Sequence, residues 1–116
     1  MPRDVRAYLE DIRDSCAAIL RIVSEHDVRA YLADRVLRSA VEREFLIIGE
    51  AVNKLSGLAP ELATGLTSSR LIVDFRNRLA HEYHNIDDEM VWAIAETDVP
   101  VLAGEVDGLL REQAKD

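Results

Sequence analysis

One cysteine, three prolines and five glycines are all that 116 residues hold of the types that staple or interrupt a chain, and only 5% are aromatic. A lone cysteine excludes an internal disulfide and a cysteine-based zinc site; Cys16, in an apolar register with Ile12, Ile19 and Leu20, reads as a buried, inert thiol. No alternation of apolar and polar residues marks a strand. No apolar run approaches the roughly 18 residues that a membrane span needs, and the start MPRDVRAYLEDIRD carries acids in place of a signal peptide's apolar stretch. The expectation is a soluble, cytoplasmic protein. Positive charge is also short: 14 Lys and Arg stand against 22 Asp and Glu, a formal net charge of −8. Sequence-blind wrapping of nucleic acid depends on many cations displacing counterions from phosphates, so that class is excluded.

What is present suits a globular chain, with 48% hydrophobic and 31% charged residues, and its length fits one domain over residues 1–116. Val5, Tyr8, Leu9, Ile12, Cys16, Ile19, Leu20 and Val23 repeat at three-and-four spacing and predict an amphipathic helix, with Pro2 suited to its first turn. Val28, Tyr31, Leu32, Val36, Leu37, Ala40, Val41, Phe45, Ile48, Val52 and Leu55 continue that period, with a break expected near Asp34. The run SGLAPELATGLTSS is the clearest connection. A helix capped by Ser68 or Ser69 carries Leu71, Ile72, Phe75 and Leu79 toward His81. Asn85 and Asp87 offer turn and cap chemistry before Met90, Val91, Ile94 and Ala95, and Asp98 with Pro100 predicts a kink or a fresh helix start. The fold class expected is all-α, an antiparallel up-and-down bundle of four to five helices.

The segment Asp74-Phe75-Arg76-Asn77-Arg78-Leu79-Ala80-His81-Glu82-Tyr83 gathers Arg, Asn, His and Tyr. From Arg70 to His84 the formal charge is +1, which leaves −9 for the rest of the chain. At about 100° per residue Arg76 shares a face with Tyr83, and Asn77 with His81 and His84, while Arg76 and His81 lie about 140° apart. One straight helix does not aim both at a small target. A two-fold dimer that pairs two copies of the helix does. Histidine can take and return a proton near neutral pH, and arginine can hold a phosphate and stabilise developing negative charge. The pair suits phosphoryl transfer within RNA, where the adjacent 2′-hydroxyl is the nucleophile and neither metal nor cofactor is required.

Arg76-Asn77-x-x-x-His81-x-Tyr83 resembles the R-x4-H-x-Y signature of HepT-like toxins in the HEPN superfamily. The run Arg38-Ser39-Ala40-Val41-Glu42-Arg43-Glu44-Phe45-Leu46-Ile47-Ile48-Gly49-Glu50-Ala51-Val52 resembles that family's second-helix signature, and the start of the chain and Val91-Trp92-Ala93-Ile94 fit as well. Phe45, where leucine is expected, and the second histidine, His84, depart from the pattern. The resemblance implies a HEPN-like homodimer and a metal-independent endoribonuclease, with tRNA among the RNA substrates in view. It places Arg76 and His81 in catalytic positions, with Asn77 supporting them by orienting the phosphate or His81. It further implies an MNT-type nucleotidyltransferase antitoxin as partner, which attaches AMP to Tyr83.

Plainer readings compete at each position. Arg76 could pair with Asp74 or Glu82 on a solvated face, His81 could answer the helix dipole, and Tyr83 could be an aromatic anchor. His81 and His84 lack the spacing of a zinc-binding H-E-x-x-H. Glu42 and Glu50 could be surface acids paired with Arg38 or Arg43. Gly49 reads as a close helix contact, potentially in a dimer interface, His26 as a structural or solvated boundary residue, and Trp92 as core or interface. A catalytically idle HEPN scaffold that binds nucleotide, RNA or protein, and a plain helical dimerisation domain, are the alternatives to the nuclease. The intact Arg76, Asn77 and His81 set favours the nuclease.

Overall fold

The computed structural model describes residues 3–114, without the side chains of Tyr83 and Ala114; Pro2 lies outside the described residues. Aspartates start most of the helices. Asp4 accepts from the Ala7 amide at the head of α1 (Val5–Glu25), and Asp27 from Ala30 at the head of α2 (Val28–Ala33). Asp34 breaks the second apolar series where expected, accepting from the amides of Val36 and Leu37 to start α3 (Arg35–Leu58). Each carboxylate satisfies amides that the first turn leaves without an intrahelical partner. The connection after α3 is more ordered than its composition predicts. Pro60, whose fixed φ and missing N–H suit a first helical position, opens a short α4 (Pro60–Thr64).

α5 (Ser69–His81) begins after Ser68, whose side chain does not cap it and instead bonds Asp98 Oδ1 at 3.3 Å. Thr67 donates through its amide and hydroxyl to Glu105. These bonds pin the connection to α6 (Asp88–Ala114), reached through a 3₁₀ turn at Tyr83–Asn85 and headed by Asp87, which accepts from the Met90 amide. α6 runs unbroken through Pro100, which corrects the expected fresh start. Asp98, expected to help start a new helix, is committed to Ser68 and Thr97, and Val99, Leu102 and Val106 are fully buried on both sides of the proline. The architecture is therefore all-α, with six α-helices among the described residues: four long ones form the bundle, and α2 and α4 are the short additions to the predicted four or five.

α3 packs against α1 on one side and α5 on the other, while α1 also packs against α6. The residues with three-and-four spacing supply the core: Leu9, Ile12, Cys16 and Ile19 of α1 meet Val41, Phe45, Ile48 and Val52 of α3 in one buried cluster. Trp92 is a core residue, tilted against Tyr31 with centroids 5.2 Å apart. Phe45, where leucine was expected, meets the Phe75 ring edge-on at 5.1 Å and ties α3 to α5. His26 caps the end of α1, its Nδ1 2.9 Å from the Ile22 carbonyl. No helix of the described residues is long and apolar enough to cross a membrane.

The α3–α5 crossing leaves no room at Gly49. A methyl group there would sit 2.2 Å from Cβ and 2.5 Å from Cγ of Arg76, far inside contact distance. Gly49 does permit a close helix approach, but the helix is α5 of the same chain, which corrects the dimer-interface reading. Gly49→Ala should destabilise the fold by about 1–3 kcal/mol in urea unfolding, because the overlap falls on a side-chain root that cannot swing away. Gly104→Ala, in open space on α6, should instead gain about 0.5–1 kcal/mol from helix propensity. Equal effects at the two positions would remove the crossing as the cause.

Cys16 is fully buried, and burial pushes its thiol from 9.0 up to about 12. A raised pKa means that the fold favours the neutral thiol, so this contribution is complete below about pH 9 and is lost as pH climbs toward 12. Iodoacetamide at pH 8 should leave the native chain unmodified and add one label per chain in denaturant. Labelling of the native protein at the denatured rate would contradict the burial.

Candidate active site on α5

Arg76 sits where α5 crosses α3, its side chain 29% exposed and its stem laid over Gly49. Nη2 donates to Glu50 Oε2 at 2.8 Å and Nη1 donates to Asn77 Oδ1 at 3.1 Å. Nε is buried and has no hydrogen-bond partner. Two acceptors therefore fix the guanidinium plane while further N–H groups stay available. A charge-assisted bond of this kind is geometrically demanding, which makes Glu50 an orienting group as much as a counter-charge. Arg76 pairs with neither Asp74 nor Glu82. Glu50 pairs across helices with Arg76, and along α3 it lies 3.9 Å from Lys54 rather than against Arg43. Asn77 was expected to orient a phosphate or His81; in the structure it holds Arg76.

His81 ends α5 in the last helical turn, exposed, its side chain making no hydrogen bond or ion pair with any described residue. Arg76 and Ala80 face the α3 groove, whereas His81 does not line it. The arrangement matches the wide angular separation expected on the helical wheel: within one chain the fold brings Arg76, Asn77 and Glu50 together and leaves His81 outside. The backbone of Tyr83 opens the 3₁₀ turn directly after α5, and its side chain lies outside the described part of the structure.

His84 lies in that same turn and lines a separate polar recess with Arg35, Arg38, Glu42 and Asp88. Because α5 ends before Glu82, His81 and His84 do not share one helix. Among the described residues no group of three or more His, Cys, Asp or Glu is placed to hold a metal ion. In the recess Arg38 pairs with Asp88 at 3.7 Å. Glu42 is held above the usual carboxylate range, first by burial and then by the charge of Asp88, with Arg38 opposing. Tyr31, beneath it, is fully buried with an unpartnered hydroxyl, and its pKa is pushed up by burial.

Glu50 is the site residue that sequence reasoning left without a role. Its link to Arg76 joins helices 26 residues apart, and spacing rules along one helix do not reach that far. The adjoining Gly49 was the available signal, since a small residue in a long amphipathic helix marks where another backbone comes close.

Comparison with known proteins converges on one family. Residues 12–108 match the family model described as Ribonuclease HepT-like. The chain is 32% identical over 105 residues to "Putative RNase MJ1380" of Methanocaldococcus jannaschii, covering 90% of this chain and 95% of that one. It is 31% identical over 113 residues to "Probable ribonuclease HepT" of Thermococcus cleftensis, covering 94% and 98%. A third relative, "Putative RNase TTE0752" of Caldanaerobacter subterraneus, is 29% identical over 108 residues, covering 93% and 96%. No solved structure matches the chain. With the helical bundle, the anchored Arg76 and a family match running through four-fifths of the sequence, the chain belongs to the HepT-like ribonuclease family.

Proposed function

We propose that the protein is a metal-independent endoribonuclease whose cleft is completed by a second copy of the chain. The observation that carries this reading is the state of the two motif residues: Arg76 is fixed in a phosphate-ready pose by Glu50 and Asn77, while His81 on the same helix stands exposed and uncommitted. A proton-transfer group that serves the phosphate held by Arg76 has to approach from elsewhere. A two-fold partner presenting its own α5 supplies it.

The chemistry follows from these two side chains. Imidazole of His81 removes the 2′-hydroxyl proton, and the 2′-oxygen bonds to the neighbouring phosphorus. The guanidinium of Arg76 stabilises the charge that accumulates on the non-bridging oxygens. The bond from phosphorus to the 5′-oxygen breaks, and that oxygen takes a proton from the imidazolium of the second His81. The products are a 2′,3′-cyclic phosphate and a 5′-hydroxyl, with protons and charge balanced. The positive charge and the proton carrier both come from side chains, so the scheme calls for no metal.

An unregulated RNA-cleaving enzyme harms its own cell, and we read the protein as the toxin of a toxin–antitoxin pair, with tRNA as one substrate class. Its antitoxin is an MNT-type nucleotidyltransferase that transfers AMP from ATP to the Tyr83 hydroxyl, releasing pyrophosphate. Tyr83 follows His81 by two residues, at the start of the turn that leaves α5. A bulky anion added at that end of the helix would repel RNA and block access to His81.

The first test is cleavage of bulk cellular RNA by purified, mass-verified unmodified protein in excess EDTA, beside His81→Ala. Cleavage by the wild type and a loss of about 100-fold or more in the variant are expected for a general acid–base. Cleavage by neither protein would reject the nuclease reading in favour of an idle scaffold, and cleavage restored only by added metal would reject the metal-free scheme.

Tyr83→Phe tests the regulation separately. The variant should cleave RNA at nearly the wild-type rate and stay unmodified when co-expressed with the nucleotidyltransferase, as read by intact mass. AMP still attached to the variant would eliminate Tyr83 as the acceptor.

A further inference from the structure

We infer that the trench beside Arg76 is a binding subsite for single-stranded RNA flanking the cleaved bond, with Arg43 as its phosphate contact; this deepens the nuclease reading and rests on it. The trench has a volume of about 490 Å³ and runs along α3 between α1 and α5. Its floor is one helical stripe, Arg43, Leu46, Ile47, Glu50 and Ala51, residues that recur at three-and-four spacing and therefore share a face. Arg76 forms the α5 bank at one end, and Tyr8 stands on the α1 bank.

The charges in the trench differ from those of the chain as a whole. Three arginines line it against two carboxylates, in a chain with a formal net charge of −8. Two of those arginines are engaged: Arg76 with Glu50, and Arg3 with Asp11 at 2.5 Å while also lying over the Tyr8 ring at 4.8 Å. Arg43 is exposed and its guanidinium makes no hydrogen bond or ion pair with any described residue. It stands seven residues from Glu50, about 10 Å along the helix axis, so along α3 the committed guanidinium of Arg76 and the uncommitted one of Arg43 are separated by apolar surface. Phosphate, base face and phosphate alternate in the same way along an unpaired strand, where apolar and aromatic surfaces accept bases and cations accept the backbone. Because the trench contains Arg76, a strand positioned for cleavage there extends along it toward Arg43.

The test uses the full-length protein and a fluorescent, uncleavable 2′-O-methyl RNA single strand, read by anisotropy across a salt series, with cleavage of unmodified RNA measured in parallel. Arg43→Ala should weaken binding about tenfold, equivalent to about 1.4 kcal/mol. It should also lower the slope of log K against log salt by about 0.7, the loss of one phosphate contact on a single strand. In cleavage it should raise KM while kcat stays within about twofold, and Arg43→Lys should recover most of the binding. Arg21→Ala, which removes the same charge from α1 outside the trench, should leave binding unchanged. Equal binding by wild type and Arg43→Ala, or a fall in kcat at constant KM, would overturn the subsite. So would a lighter species in light scattering whose binding returns to the wild-type value at concentrations that restore the dimer, because Arg43 would then serve contact between copies. An Arg43-dependent anisotropy signal from a protein that cleaves nothing would keep the subsite and remove the nuclease.

Discussion

The backbone of α3 at Gly49 and the side-chain root of Arg76 occupy adjoining space with no volume to spare, and both fold and site depend on that approach. A methyl group at Gly49 would overlap Cβ and Cγ of Arg76, so the absence of a side chain on one helix sets how close the other can lie. α5 packs chiefly on α3, through Ile72, Phe75 and Leu79, with the edge-on contact of Phe45 and Phe75 alongside. Hydrophobic burial holds the helices together, and Gly49 sets the register at which they stop. That register brings the Arg76 guanidinium within 2.8 Å of Glu50.

Such a site carries a cost. The Nε of Arg76 is buried without a partner, and a buried donor left unsatisfied is destabilising. The charge-assisted bonds to Glu50 and Asn77 offset part of it and confine a long side chain that would otherwise sample many rotamers. An arginine fixed before its ligand arrives loses little freedom on binding. In the proposed mechanism, that preorganisation suits stabilisation of a short-lived five-coordinate phosphate. His81 is unconstrained by comparison, at the end of a helix and in solvent, and its position depends on whatever packs against that end.

Local rules made much of this fold legible. Three-and-four spacing identified most of the buried faces of α1, α3 and α5, with Val36 and Leu71 of the same series exposed, and Asp34 marked the break between α2 and α3 because a carboxylate there satisfies two amides at once. The same rules misjudged Asp98 and Pro100: the carboxylate had a partner in Ser68, 30 residues away, and burial on both sides of the proline kept α6 whole. Glu50 was mispaired for the same reason, since helical spacing proposes partners one turn away and its partner lies on another helix. Arg76 and His81 stood out by residue type and by resemblance to a family. Their angular separation was legible from five residues of helix, and the groove that receives Arg76 was not, because three helices have to meet to form it.

Net charge is the last constraint, and it bears on how an acidic chain acts on RNA. A surface of net −8 repels polyanions at long range, so nonspecific attraction contributes little to encounter and does little to hold a strand once it lands. On the proposed subsite, affinity rests on a place where cations outnumber acids locally, and the trench has three arginines against two carboxylates. In the proposed mechanism, Glu50 would sharpen the selection, because its ion pair partly offsets the charge of Arg76. In the same proposed mechanism, a phosphate gathering negative charge in the transition state would compete for the remaining N–H groups more strongly than a resting diester does. On that mechanism, an acidic exterior around a small, partly neutralised cationic site would favour bound states in which charge is developing over bound states in which RNA merely rests, which is the condition for turning binding into rate.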